Sequence, residues 1–276
     1  MNPASRTTEA AEFSGYVCPK CKGSLRLSDD VLLCEACRSS YPARDGVPDF
    51  ILEDLTKSTI PTLRGVKDLD RLARIYETRF WYPLVLNFYG GLGAPSMEQL
   101  VRITADLVPV EEGYILDAAC GPGTIGRRMA SERRAVYGTD ISMGMLHKGL
   151  SYAKRDNILN IRFARAKVEA LPFPDRFFDG AVCGGALHLF ADTVEALCEI
   201  GRTMKVGARL AVMTFTAGSK GILRFRRIRD GLWEKHGFRI FQLSELEEYL
   251  AKASFEGFRP QLYGSILVFS AWKRRL

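Results

Sequence analysis

From residue 114 onward, short apolar runs alternate with longer stretches whose apolar residues recur every three or four positions. The short runs read as strands: Tyr114–Ala119, Arg134–Thr139, Ile161–Ala164, Gly180–Gly184 and Arg209–Thr214. Brief, nearly continuous hydrophobicity bounded by breakers fits strands buried on both faces. The stretches between them, such as Met143–Arg155 and Thr193–Met204, read as amphipathic helices. Strand and helix in alternation predict an α/β fold with a doubly wound, mostly parallel sheet. Ser96–Leu107 precedes the first strand as a helix. Ser244–Ala253, Pro260–Tyr263 and Ser265–Trp272 close the chain as a helix and two strands.

The segments outside this alternation differ in character. Leu69–Phe88 reads as a helix dense in aromatics (Tyr76, Phe80, Trp81, Tyr82, Phe88), ended by Gly90-Gly91-Leu92-Gly93. Between Lys220 and Arg239, Arg224, Arg226, Arg227 and Arg229 interleave with Ile222, Phe225, Ile228, Leu232 and Trp233. That spacing gives a basic amphipathic helix. It reads either as a cap with a solvated basic face or as a surface for lipid or RNA phosphates. Residues 53–72 are polar, broken by Pro61 and Gly65, and read as a linker. The predicted organisation is a disordered tail (1–15), a small N-terminal module (16–52), the linker (53–72) and one α/β domain (73–276).

Composition narrows the function classes. No stretch approaches a membrane span of about 18 apolar residues, and the N-terminus lacks the apolar core of a secretory signal. The net charge is +7, yet residues 1–50 carry six Lys/Arg against seven Asp/Glu, so the N-terminal module is neutral. Of seven cysteines, Cys18, Cys21, Cys34 and Cys37 form C-x2-C-x12-C-x2-C. Four thiolates in two tight knuckles match the tetrahedral preference of zinc, with no open position for catalysis. The module is therefore read as a structural zinc ribbon, with short strands at Ser24–Leu27 and Val31–Leu33. Reduced, metal-binding thiols fit a cytoplasmic setting. Cys120, Cys183 and Cys198 read as small buried residues.

The central chemistry sits in Tyr114–Thr124, YILDAACGPGT. A buried strand runs into Gly121-Pro122-Gly123 and then a helix, whose first N–H groups favour an anionic ligand. Gly121-Pro122-Gly123-Thr124-Ile125-Gly126 also fits G-x-G-x-x-G, and the next strand ends at Asp140, placed to accept ribose hydroxyls. These features imply an adenosine cofactor, NAD or S-adenosylmethionine (SAM).

Four motifs in order decide between them. LDAACGPGT, GTDIS with Met145 after it, LPFPDRFFDGAV and EIGRTMKVGARLAV together resemble class I SAM-dependent methyltransferases, above all the ubiquinone/menaquinone-methyltransferase-like group, over roughly residues 114–215. The resemblance implies a Rossmann-like, seven-stranded sheet ending in an antiparallel pair; the helices at 73–108 are read either as packed on that sheet or as a lid over the site, and the helix at 219–240 as a cap. It further implies cofactor contacts from Asp117, Ala119, Gly121 and Gly123, ribose hydrogen bonds to Asp140, and apolar adenine walls from Ile141 and Met145. The adenine amino group would meet the Lys167, Val168 and Glu169 segment. The group usually has an acid where this chain has Lys167, and a lysine cannot accept a hydrogen bond. Glu169 or a backbone carbonyl takes the role, or cofactor affinity is lowered.

His188, after the fourth strand, is the candidate general base for the acceptor; alternatively it bonds loop backbone and shapes the pocket. The expected acceptor is a small molecule, quinone-, polyketide- or lipid-like, with peripheral membrane contact compatible with the basic helix. The competing readings are a ribosomal-RNA guanine methyltransferase, since one such family also begins with a four-cysteine ribbon, and a non-catalytic SAM-fold scaffold. The neutral ribbon and the lack of an Asn/Asp-Pro-Pro-aromatic element in Gly184–Phe190 weigh against RNA.

Overall fold

A computed structural model describes residues 13–65, 95–217 and 238–275. The predicted tail, aromatic lid helix and basic cap helix lie wholly or mostly outside the described residues.

Two sheets organise the described chain. The small one holds β1 (Leu25–Ser28), β2 (Val31–Cys34), β3 (Ser40–Arg44) and β4 (Val47–Pro48) in sequential antiparallel order. Pattern reading found the first pair. It missed β3 and β4, because a proline inside five residues argues against a strand. Here Pro42 lies opposite Val31 in β2, and its carbonyl accepts from Asp49 N–H at 2.7 Å.

The large sheet has seven strands in the order β10-β11-β9-β8-β5-β6-β7. These are β5 (Gly113–Ala118), β6 (Arg134–Asp140), β7 (Ile161–Arg165), β8 (Phe178–Gly184), β9 (Met204–Phe215), β10 (Phe255–Tyr263) and β11 (Ile266–Lys273). Strands β5 to β9 pair in parallel, and β11 is antiparallel to both β9 and β10. This is the expected Rossmann-like sheet. Besides a single helical turn at Pro61–Arg64, inside the segment read as a linker, the helices are α1 (Met97–Asp106), α2 (Thr124–Met129), α3 (Met143–Arg155), α4 (Thr193–Thr203) and α5 (Leu243–Lys252). Their starts follow local chemistry. Ser96 and Gln99 form a capping box on α1, Ser142 caps α3, and Asp192 accepts from Val194 and Glu195 at the start of α4.

Strand order reverses beside β5, between β6 and β8. The loops leaving β5 and β8 there diverge to opposite sides, opening the crevice in which α/β sheets bind ligands.

The ribbon does not hang from the domain. Its last residues run along the β7 edge: Asp49 bridges Arg165 in parallel, and Phe50 N–H donates to Arg165 O at 2.8 Å. On the other side Val17 N–H donates to Pro172 O at 2.9 Å. Tyr16 packs against Phe50, Tyr137 and Phe173 with ring centroids 5.4–5.7 Å apart. Ribbon residues Cys18, Leu32 and Tyr41 thus share one continuous core with Tyr137, Leu171 and Phe173 of the large domain. The first part of the segment read as a linker is also packed, since Leu55, in a single 3-10 turn (Leu55–Lys57), is 3% exposed.

Candidate functional site

The loop after β5 is bent by three consecutive-but-one residues in the left-handed region, Ala119 (φ 51°), Gly121 (φ 55°) and Gly123 (φ 72°). Ala119 is the informative one, because a residue with a Cβ takes that conformation only where surrounding contacts impose it. The two glycines differ. A Cβ on Gly123 would stand 2.9 Å from the Phe163 ring, whereas one on Gly121 meets nothing within 4 Å. Gly123 therefore closes the loop onto the core, and Gly121 borders open space.

Asp140, at the end of β6, reaches back to this loop. Its Oδ2 accepts from Gly121 N–H at 2.8 Å and its Oδ1 from Ser142 N–H at 2.9 Å. Both oxygens are thereby held in a fixed orientation at the tip of β6. Ser142 Oγ in turn accepts from Met145 N–H, which seats the buried Met145 in the first turn of α3. Ile141 is half-buried between Asp140 and this cap.

Asp117 behaves differently from the expected ligand contact. It is 1% exposed, and its Oδ2 accepts Gly126 N–H at 2.8 Å. Burial pushes its carboxyl up to about 7, against the pull of that hydrogen bond. Its visible work is to pin the start of α2. That helix has six residues, and Gly126 N–H, one of the amides read as open to an anion, is already taken. The side of the loop that borders open space is thus at Gly121, beside Asp140.

Lys167 precedes the 3-10 turn Val168–Ala170, with Val168 buried and Glu169 half-buried. Burial raises the Glu169 carboxyl above its usual range. Lys167 forms an ion pair with Glu53, from the strap that follows the ribbon. Pattern reading missed this strap. Ile51 and Leu55 pack on Ile141, Asp49 holds Arg165 through Oδ1 and Oδ2 at 3.2 and 2.9 Å, and Arg165 Nε donates to Ile141 O at 2.8 Å. The available signals were the i, i+4 apolar pair Ile51 and Leu55 and the arginine ending an apolar strand.

His188 is not at an open mouth. It lies in a 3-10 turn after β8, 4% exposed, with its ring 4.9 Å from Phe215 and 4.3 Å from Phe238, and its Nδ1 3.4 Å from Thr214 Oγ1. Desolvation takes its pKa down to about 3, so the imidazole is neutral. A base that weak is a poor proton acceptor near neutrality. Its backbone carbonyl accepts Arg239 N–H, which ties the β8 loop to the chain entering α5. Cys183 is buried as expected, but Cys198 is exposed on α4.

At the ribbon, the Sγ atoms of Cys18, Cys21, Cys34 and Cys37 all lie within 4.8 Å of one another. Four sulfurs around one zinc stand about 3.8 Å apart, so the donor set fits that ion. The two knuckles share one geometry. Lys22 N–H donates to Cys18 O and Arg38 N–H to Cys34 O, and Lys22 (φ 57°) and Arg38 (φ 63°) are both left-handed. Tyr41 Oη lies 3.2 Å from Cys18 Sγ, orienting that ligand from outside the cluster.

Residues 115–207 match the family model of a methyltransferase domain. An uncharacterized chloroplastic methyltransferase of Arabidopsis thaliana is 24% identical over 96% of this chain and 80% of its own length. The ubiquinone/menaquinone biosynthesis C-methyltransferase UbiE of Serratia proteamaculans is 35% identical over 42% of this chain, and the match spans about half of that enzyme (48%). Among solved structures, phosphoethanolamine N-methyltransferase 2 of Haemonchus contortus in complex with S-adenosyl-L-methionine aligns with a TM-score of 0.59 at 17% identity, covering 75% of this chain and 60% of that one. At that identity the likeness concerns the fold. Together these matches give the α/β domain the fold of class I SAM-dependent methyltransferases, with residues 115–207 similar to a methyltransferase domain.

Proposed function

We propose that this chain transfers the methyl group of SAM to a small-molecule acceptor, quinone-, polyketide- or lipid-like, by in-line displacement. The observation that carries the reading is the open backbone at Gly121 facing an Asp140 carboxylate whose two oxygens are already anchored by amides. Bound SAM supplies a methyl group activated on a sulfonium. The protein's part is to orient and to exclude water, contributions worth roughly 7–11 kcal/mol in well-aligned reactions. Asp140 would accept the ribose hydroxyls, Ala119 and Gly121 would present backbone to the ligand, and Ile141 and Met145 would flank the adenine, with Val168 beside it. Asp117 and Gly123 would hold the loop in shape from behind. The neutral His188 would shape the acceptor side without taking a proton.

The ribbon would serve as a zinc-held structural module. Its cations are partly engaged, Lys22 with Glu199 at 3.1 Å and Arg26 with Glu35 at 3.9 Å, which favours a small acceptor over RNA phosphates. No helix among the described residues is long and apolar enough to cross a membrane. The four thiol ligands favour a reducing compartment such as the cytoplasm.

Calorimetric titration of the zinc-loaded protein with SAM, and separately with NAD, tests the cofactor. Saturable SAM binding without NAD binding is the expected result, after which acceptors are screened by labelled-methyl transfer. NAD binding, or no binding of either, overturns the reading.

A further inference from the structure

The strap after the ribbon, Asp49–Leu55, touches the domain at the one place where the motif set departs from its group. A lysine stands at position 167, where an acid is expected to accept from the adenine amino group. Glu53 is ion-paired with that lysine through Oε1, and its side chain is 59% exposed, so the carboxylate is reachable from outside. Two further contacts fix the strap there. Ile51 and Leu55, 8% and 3% exposed, pack on Ile141. Asp49 grips Arg165, which in turn holds the Ile141 carbonyl. The ends of β6 and β7 and the strap thus form one connected wall. The wall begins next to Asp140 and ends at Lys167.

We infer that Glu53, carried in from the ribbon strap and steadied by Lys167, is the carboxylate acceptor for the adenine amino group, and that Ile51 and Leu55 back the adenine wall at Ile141. The inference rests on the SAM reading above and extends the cofactor site across the boundary between the two modules. Chemically, the exchange is simple. An acid lost at 167 is replaced by an acid from 114 positions upstream, and the lysine becomes its anchor. A lysine with three donors can pair with one carboxylate oxygen and leave the other to accept from a ligand.

The experiment compares S-adenosylhomocysteine with its analogue carrying hydrogen in place of the adenine amino group, by calorimetry on zinc-loaded protein. The wild-type protein is expected to bind the analogue about tenfold more weakly, the size of one hydrogen bond to a charged group. Glu53→Ala is expected to bind S-adenosylhomocysteine about tenfold more weakly and to lose the discrimination between the two ligands. The double variant Glu53→Ala/Lys167→Glu, which returns the acid to position 167, is expected to recover it. Retained discrimination in Glu53→Ala overturns the inference and leaves the methyltransferase reading intact. Absence of binding in the wild-type protein overturns that reading instead. A matching melting temperature for the variants shows that the fold is not what changed.

Discussion

The glycine loop after β5 and the ribbon wall along β7 flank the same proposed cofactor site, but they are built in opposite ways. The loop is local. Residues 117–126 supply the strand end, the turn and the start of the helix, and Asp117 pins Gly126 nine positions away. The wall is remote. Asp49 meets Arg165, and Glu53 meets Lys167, across more than a hundred residues of sequence. The loop depends on backbone conformation, which a single Cβ upsets. The wall depends on the four-cysteine module, for which we propose zinc, keeping its strap on a sheet edge. An otherwise open edge strand is covered in the same stroke, so its backbone groups at Phe50 and Arg165 are paired rather than left to other chains.

Removing zinc is expected to have the largest effect. Structural zinc contributes on the order of 10–16 kcal/mol of apparent binding energy in such modules, so a chelator should unfold the ribbon. Ribbon collapse would free the strap, and SAM affinity should fall about tenfold or more while far-UV dichroism keeps the sheet signal. Unchanged affinity after zinc loss would show that the wall and the site are independent.

Next come the two glycines. Gly123→Ala combines a left-handed φ with a 2.9 Å approach to Phe163, and should lower stability by about 2–4 kcal/mol in urea unfolding. Gly121→Ala adds its Cβ to open space, so only the φ strain of about 1–2 kcal/mol applies, yet SAM binding should be lost. Equal stability losses would erase the distinction between a core-facing and a ligand-facing glycine.

Asp117 gives a smaller effect, read through pH. Its carboxyl titrates near 7 in the folded chain against an ordinary value of 3.8. Between those values the folded state binds more protons than the unfolded one, so stability falls as pH rises from about 4 to 7 and then levels. Melting temperatures of Asp117→Asn should therefore decline less than wild type from pH 5 to pH 7.5. Parallel curves would mean that the carboxylate is not isolated from water.

His188 is expected to show the least. With a pKa of about 3 it is neutral throughout the working range, so His188→Gln should leave the pH profile of the maximal methylation rate unchanged. Loss of the acidic limb in the variant would restore it as the proton acceptor.

Much of the fold was legible because its signals are short-range. The apolar runs gave the parallel strands to within a few residues, and Met143–Arg155 emerged with the predicted ends because Ser142 caps it and the basic Lys154-Arg155 close it. Errors arose where context overrides pattern. Pro42 hid β3, Cys198 was placed inside although α4 turns it outward, and His188 looked accessible because Phe215 and Phe238, which enclose it, lie 27 and 50 positions further along the chain.

By itself the sequence determined the α/β order, the four-cysteine metal set, the glycine loop and Asp140 at the strand tip. Each is written in neighbouring residues whose spacing is set by backbone geometry. Tertiary structure alone decided that Asp117 faces inward, that His188 is sealed and uncharged, and that Ile51, Glu53 and Leu55 stand beside Ile141 and Lys167. Burial and long-range ion pairs depend on which surfaces meet when the ribbon packs on β7, and no local pattern encodes that meeting.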